Sequence, residues 1–193
     1  PFAEGLSITD NLIIRAALVL REYTGVGHGA DLTLDKRLPV ASGIGGGSAD
    51  AAATLRLLNR LWGLDLSLDV LARIAEPLGA DIPACVYSQP MRGIGTGTDL
   101  TPIDGQSIAG KPILLVNPNM ALSTADVFAA WNGEDDGPIG EGDILYMAVH
   151  GRNGLQAPAI ALCPEIAQIL PLLGDWGQCV MARMSGSGAT CVG

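Results

Sequence analysis

The chain has 193 residues, 48% of them hydrophobic, which is enough apolar material for one large core or two small ones. Eleven basic residues against twenty acidic ones leave a net charge of −9, and Lys36 and Lys111 are the only lysines, which argues against binding a nucleic-acid backbone. No apolar run reaches the length of a membrane span and no signal peptide is read. Cys85, Cys163, Cys179 and Cys191 form no CxxC pair, and two histidines exclude zinc-finger spacing, so the thiols suit a reduced cytoplasm.

In chain order, Asp10 is predicted to cap a helix whose stripe is Leu12, Ile13, Ala16, Ala17 and Leu20, ending near Gly25. Residues 31–35 alternate as a strand and deliver Lys36 and Arg37 to Pro39-Val40-Ala41-Ser42-Gly43-Ile44-Gly45-Gly46-Gly47-Ser48-Ala49-Asp50. From Ser48 a helix is predicted with Ala51, Leu55, Leu58 and Trp62 on one face and Gly63 just past its end. Glycines let successive N–H groups converge, and a helix start adds unpaired N–H groups and a positive dipole end. The stretch therefore predicts an anion site, commonly for phosphate; the other reading is a loop that merely turns a corner. A Walker loop needs lysine where Gly47 stands, and a dinucleotide fingerprint needs glycine where Ser48 stands.

Ser67 is predicted to cap a helix with Leu68, Leu71 and Ile74 inward, stopped by Pro77 and Gly79, and Asp81-Ile82-Pro83 to open another. Residues 93–97 read as a second glycine-rich loop, and the polar stretch 103–110 as a domain boundary, dividing 1–106 from 107–193. Residues 113–116 read as a short buried strand stopped by Asn117-Pro118. Ser123 or Thr124 caps a helix through Val127, Phe128 and Trp131, and 132–143 is an acidic, mobile loop. Helices over 144–150 and 164–173, a strand over 179–184, a third loop Ser185-Gly186-Ser187-Gly188 and a strand over 189–193 complete the pass. The irregular alternation predicts an α+β fold. The chain opens at Pro1 without an initiator methionine and closes inside an expected strand, which predicts a fragment of a longer protein.

Three segments in order, Pro39 to Asp50, Gly79-Ala80-Asp81-Ile82-Pro83 and Met184-Ser185-Gly186-Ser187-Gly188-Ala189-Thr190, resemble the second and third motifs of the GHMP small-molecule kinases, with the family's acidic residue between them. The flanks Leu34-Asp35-Lys36-Arg37-Leu38-Pro39, Asp10-Asn11-Leu12-Ile13 and Leu58-Asn59-Arg60-Leu61-Trp62 are similar to the member that acts on diphosphocytidyl-methylerythritol in the non-mevalonate route to isoprenoids. The resemblance implies an N-terminal α/β ATP-binding domain and a ferredoxin-like α+β C-terminal domain, both incomplete. It implies ATP-dependent phosphorylation of that small molecule's tertiary 2-hydroxyl, with ATP and Mg2+. It assigns ATP binding to Pro39, Val40, Ala41, Ser42, Gly43, Ile44, Gly45, Gly46, Gly47, Ser48 and Ala49, with Gly43 to Ser48 wrapping the phosphates, and the neighbourhood of the adenine to Asn11 and Lys36. Asp81 accepts the hydroxyl proton. The loop with Gly95, Thr96 and Gly97, and the turn Gly186, Ser187 and Gly188, border the substrate. The Ser48 hydroxyl reaches magnesium or a phosphate, or only caps the helix.

Asp81 by position alone is a helix cap, Lys36 a solvated strand-end charge, and the Ser-Gly-Ser-Gly turn an ordinary hairpin. Gly46 is expected to need a positive φ. His28 and His150 are read as surface residues. Asp50 would repel bound phosphates unless a metal or a basic group intervenes. The family's first-motif lysine and its cytosine-gripping tyrosine–histidine pair match nothing from Pro1 onward, so this span alone is expected to lack turnover, and the family's Asn-Asp-Leu reads Asn153-Gly154-Leu155. The competing readings are a kinase of another alcohol such as mevalonate or homoserine, a nucleotide-binding remnant, and a nicotinamide oxidoreductase, for which the fingerprint fails at Ser48.

Overall fold

Helices form in this protein wherever an apolar stripe meets local stop chemistry. The computed structural model describes residues 11–40, 42–97, 99–135 and 137–193. Helix α1 (Leu12–Thr24) ends at Gly25, whose φ of +68° closes the helix through an N–H bond to the Arg21 carbonyl. The predicted cap Asp10 lies outside the described residues; the N-cap is Asn11, whose Oδ1 accepts from the Ile13 N–H at 3.1 Å. Helix α2 (Gly46–Leu61) buries Ala51, Leu55 and Leu58 and is followed by Gly63 at φ +61°. Helix α3 (Leu68–Ala75) is capped by Ser67 and buries Leu71 and Ile74. Leu68 was expected inward but is exposed, because at the first helical position it projects beyond the packed face. A 3-10 turn (Glu76–Leu78) leads to α4 (Ile82–Tyr87), with proline in its first turn as predicted.

Of the described residues, those up to Val40 and from Gly45 to Ile103 make one compact unit, and residues 42–44 with those from Asp104 to Gly193 make a second. The core of the first joins Ala16 and Leu20 of α1, Leu55 and Leu58 of α2, Leu71 of α3, and Ile82 and Val86 of α4. Each fully buried leucine contributes about 1.5–3 kcal/mol relative to an exposed one. Residues 31–35 form no strand. Leu32 and Leu34 are half-buried between exposed neighbours, so the alternation survives in burial, but no strand among the described residues supplies a ladder. The stretch 93–97, read as a loop, belongs to an antiparallel hairpin of β1 (Met91–Ile94) and β2 (Asp99–Pro102) in the register Arg92↔Thr101. Its turn carries Gly95 and Gly97 at φ +63° and +88°.

The second unit holds the antiparallel sheet β3-β5-β4, formed by β3 (Leu115–Val116), β4 (Arg183–Met184) and β5 (Cys191–Val192). Val116 and Met184 both face Cys191. Reciprocal bonds between Leu114 and Gly193, at 2.8 and 3.0 Å, extend the β3–β5 pairing. The predicted strand 113–116 is exposed rather than buried at Ile113, Leu114 and Leu115, and that over 179–184 shrinks to its last two residues. Helices α5 (Thr124–Ala130) and α6 (Ile144–His150) follow their side-chain caps Ser123 and Asp143. Helix α7 (Gln156–Leu162) was not anticipated, and α8 (Glu165–Gly174) was. Val127, Ala159, Ile166, Met184 and Cys191 close this core. The fold is α+β, as expected. Among the described residues no helix is long and apolar enough to cross a membrane, and all four cysteines are free thiols.

Candidate active site

In the first unit the glycine-rich segment opens α2 two residues earlier than predicted. Gly45 is the N-cap, at φ +67°, and no side chain caps the helix. The ladder begins with the Ala49 N–H bonded to the Gly45 carbonyl at 2.8 Å, so the N–H groups of Gly46, Gly47 and Ser48 have no helical acceptor. Ser48 therefore lies inside the first turn and is not a cap. Its half-buried hydroxyl makes no hydrogen bond among the described residues. The positive φ expected at Gly46 is found at Gly43 and Gly45 instead. A Cβ on Gly47 would lie 3.4 Å from Leu12 Cδ1, so the start of α1, with Asn11, adjoins the start of α2. Ala41 of the expected phosphate loop lies outside the described residues; Pro39 and Val40 precede it in the first unit.

Lys36 is not a solvated charge. It is 8% exposed, and its Nζ donates to Asp50 Oδ2 at 2.5 Å. The same Nζ lies 3.4 Å from where Gly46 would carry a Cβ, so the ammonium stands at the first turn of α2. This is the basic group that Asp50 required. An isolated ammonium would not tolerate such burial, since desolvation costs several kcal/mol per ion without a partner. An uncapped helix start, two glycines without side chains, a free hydroxyl and a held cation together fit an anion.

Asp81 stands at the N-cap position of α4 but does not act as a cap. Its backbone is helical, its side chain is exposed, and no hydrogen bond or ion pair among the described residues engages the carboxylate. Burial pushes the neighbouring Cys85 thiol above its ordinary value, the Asp81 charge adds to that rise, and Arg56 opposes it.

In the second unit, Ser42 and Gly43 are held by the Ser-Gly-Ser-Gly turn. Ser185 Oγ donates to the Gly43 carbonyl at 2.9 Å, and the Thr190 N–H donates to the Ser42 carbonyl at 3.3 Å. A Cβ on Gly43, which has φ +73°, would collide with the Gly188 carbonyl and sit 2.8 Å from the Ser185 oxygen. The turn is thus a docked element and not a free hairpin tip. The hydroxyls of Ser187 and Thr124 are 2.7 Å apart. Asn153, singled out in the sequence only for the carboxylate missing beside it, fixes the turn from below. Its Nδ2 donates to the Met184 and Gly186 carbonyls at 2.9 and 2.8 Å, and its Oδ1 accepts from the Leu155 N–H. No spacing in the sequence signals that role. His150 is exposed, as read from the sequence; its Nδ1 is 2.9 Å from the Tyr146 carbonyl, and its ring stacks on Tyr146.

The structure therefore gathers Asn11, Lys36, Gly45, Gly46, Gly47, Ser48 and Asp50 in the first unit, and Ser42, Gly43, Gly186, Ser187 and Gly188 in the second. Gly95, Thr96 and Gly97 sit on the hairpin turn, with Gly95 and Thr96 exposed. Residues 11–89 match the family model described as GHMP kinases N terminal domain, and residues 144–193 that described as GHMP kinases C terminal. Over 99% of its length the chain is 50% identical to a 4-diphosphocytidyl-2-C-methyl-D-erythritol kinase of Rhizorhabdus wittichii, covering 66% of that protein. Against the kinase of the same name from Sphingopyxis alaskensis it is 51% identical over 98% of its length, covering 68% of the relative. It thus spans about two thirds of the relatives it matches. A crystal structure of a 4-(cytidine 5'-diphospho)-2C-methyl-D-erythritol kinase superposes with a TM-score of 0.76 at 30% identity, covering 98% of this chain and 70% of that one. By its matched domains, its identity to these relatives and its fold, the chain belongs to the GHMP kinase family.

Proposed function

We propose that the protein transfers the γ-phosphoryl group of ATP to the 2-hydroxyl of 4-diphosphocytidyl-2-C-methyl-D-erythritol, a step of non-mevalonate isoprenoid synthesis in the cytoplasm. The observation that carries the reading is the uncapped start of α2 beside the buried Lys36 ammonium, in a chain half identical to kinases of that name. The N–H groups of Gly46, Gly47 and Ser48 receive phosphate oxygens, Lys36 adds a fixed positive charge, and Asp50 keeps that charge in place. Asn11, at the adjoining start of α1, lies toward the adenine. Gly95, Thr96, Gly97, Gly186, Ser187 and Gly188 face the substrate.

The substrate oxygen attacks the γ-phosphorus, the bond from that phosphorus to the bridging oxygen breaks, ADP leaves, and the hydroxyl proton passes to the Asp81 carboxylate. The exposed, unengaged state of that carboxylate leaves it available for this. Because phosphoryl transfer runs through a loose transition state, the protein contributes mainly positioning and charge. Among the described residues there is no cluster of three acidic, histidine or cysteine side chains for a metal. The free Ser48 hydroxyl would be the protein oxygen that holds Mg2+, and the ion would neutralise phosphate charge during transfer.

Phosphorus NMR of the intact protein with ATP, Mg2+ and a panel of alcohols tests the assignment. The expected product is the 2-phosphate of the cytidyl substrate. Preference for mevalonate or homoserine would overturn it.

A further inference from the structure

Asp81 stands at the front of a helix too short to hold itself. Helix α4 has six residues, well below the length at which an isolated helix persists in water. Its last carbonyls have no N–H donor within the helix, and the chain leaves it through Ser88 at φ +53°. The missing donor comes from α2. Arg56 Nη1 donates to the Cys85 carbonyl at 2.7 Å and to the Val86 carbonyl at 3.0 Å. A cation at this end also opposes the negative end of the helix dipole. Leu55, next to Arg56 in sequence, packs in the same core as Ile82 and Val86, which gives α4 an apolar seat. Apolar contacts alone let a short helix roll; the two charge-assisted bonds remove that freedom.

We propose that Arg56 is the positioning residue for Asp81: by gripping the far end of α4 it fixes where the carboxylate stands. The proposal rests on the kinase reading above, in which Asp81 accepts the proton. The lever is short. Val86 is five positions beyond Asp81, about 7.5 Å along a helix, so a tilt of about 8° at the gripped end moves the carboxylate about 1 Å. A misplacement of that size can cost roughly a hundredfold in rate. Arg56 also belongs to the helix whose first turn carries Gly46–Ser48, so one rigid element sets both the anion site and the helix of the proton acceptor.

The test compares Arg56→Met and Arg56→Lys in the intact protein with the intact parent, at a temperature where all three are folded by circular dichroism. Arg56→Met is expected to lower kcat at least tenfold while the KM for ATP stays within threefold. Arg56→Lys is expected to recover most of kcat, because a single nitrogen makes both bonds and an ammonium can take its place. Amide hydrogen exchange of Ile82–Tyr87 is expected to accelerate in Arg56→Met and to return toward the parent in Arg56→Lys. Unchanged kcat in folded Arg56→Met, or a fall matched by an equal loss of nucleotide affinity, overturns the proposal. If Arg56→Met is not folded, Arg56→Lys decides: parent-like exchange and kcat support the proposal, and a parent-like fold with kcat as low as an Asp81 variant's overturns it. If the parent itself phosphorylates none of the alcohols, the functional reading fails. The exchange data then decide the structural half alone, and unaltered exchange in Arg56→Met overturns it.

Discussion

Two glycines of the same loop should respond differently to one added methyl group. Gly43 and Gly45 have nearly the same backbone, φ +73° and +67°. Alanine in that conformation costs about 1–2 kcal/mol at either position. At Gly45 the new Cβ meets nothing within 4 Å, so the cost stops there. At Gly43 it runs into the Gly188 carbonyl and the Ser185 oxygen, both backbone atoms that cannot rotate away. Overpacking of this kind adds about 1–3 kcal/mol, for a total of about 2–5 kcal/mol. At about 2–4 °C per kcal/mol for a chain of this length, Gly43→Ala should melt at least about 4 °C below the parent, and Gly45→Ala should stand between them. Thermal unfolding followed by circular dichroism reads the difference. Equal melting temperatures for the two variants would refute the claim that the Ser185–Gly188 turn is docked on Gly43.

Lys36→Met should weaken ATP binding roughly 10- to 150-fold by calorimetry, the equivalent of one charge-assisted contact of about 1.5–3 kcal/mol. Adding Asp50→Asn should restore part of it, since the stranded carboxylate is then removed; additive losses would contradict the pairing. Alkaline pH should destabilise the fold. Burial raises the thiols of Cys85, Cys163 and Cys191 above 9.0, so the folded state keeps protons that the unfolded chain releases. Their contribution is fully present below pH 9 and is lost as pH rises through the folded values. Urea midpoints at pH 8, 9 and 10 should fall in that order, and a rising midpoint would contradict the sign.

What could be read from the sequence was local chemistry. Ser67, Ser123 and the run 144–150 each carry their cap or stripe within a few residues, and the helices stand where those signals are. Helix α7 was missed because Leu155 offers no cap and Pro158 interrupts the pattern. Residues 31–35 show the limit of alternation: it reports burial, whereas a strand requires a partner that sequence periodicity does not reveal. The glycine-rich run was legible as the opening of α2, on which the anion site is proposed. The two features that give it charge and shape were not, because each joins residues distant in sequence: Lys36 with Asp50, and Ser185 with Gly43. The role of Arg56 was hidden for the same reason, since its acceptors lie 29 and 30 residues away.

The central claim is that nucleotide binding belongs to the start of α2 and proton acceptance to Asp81, and Asp81→Asn separates the two. The amide matches the carboxylate in shape, and the native side chain makes no capping bond that could be lost. Turnover in the intact protein should fall by about 10²–10⁴, the usual contribution of a positioned base, while ATP affinity by calorimetry stays within about twofold of the parent. Turnover equal to the parent's, or a loss of nucleotide affinity as large as the loss of rate, would contradict the account.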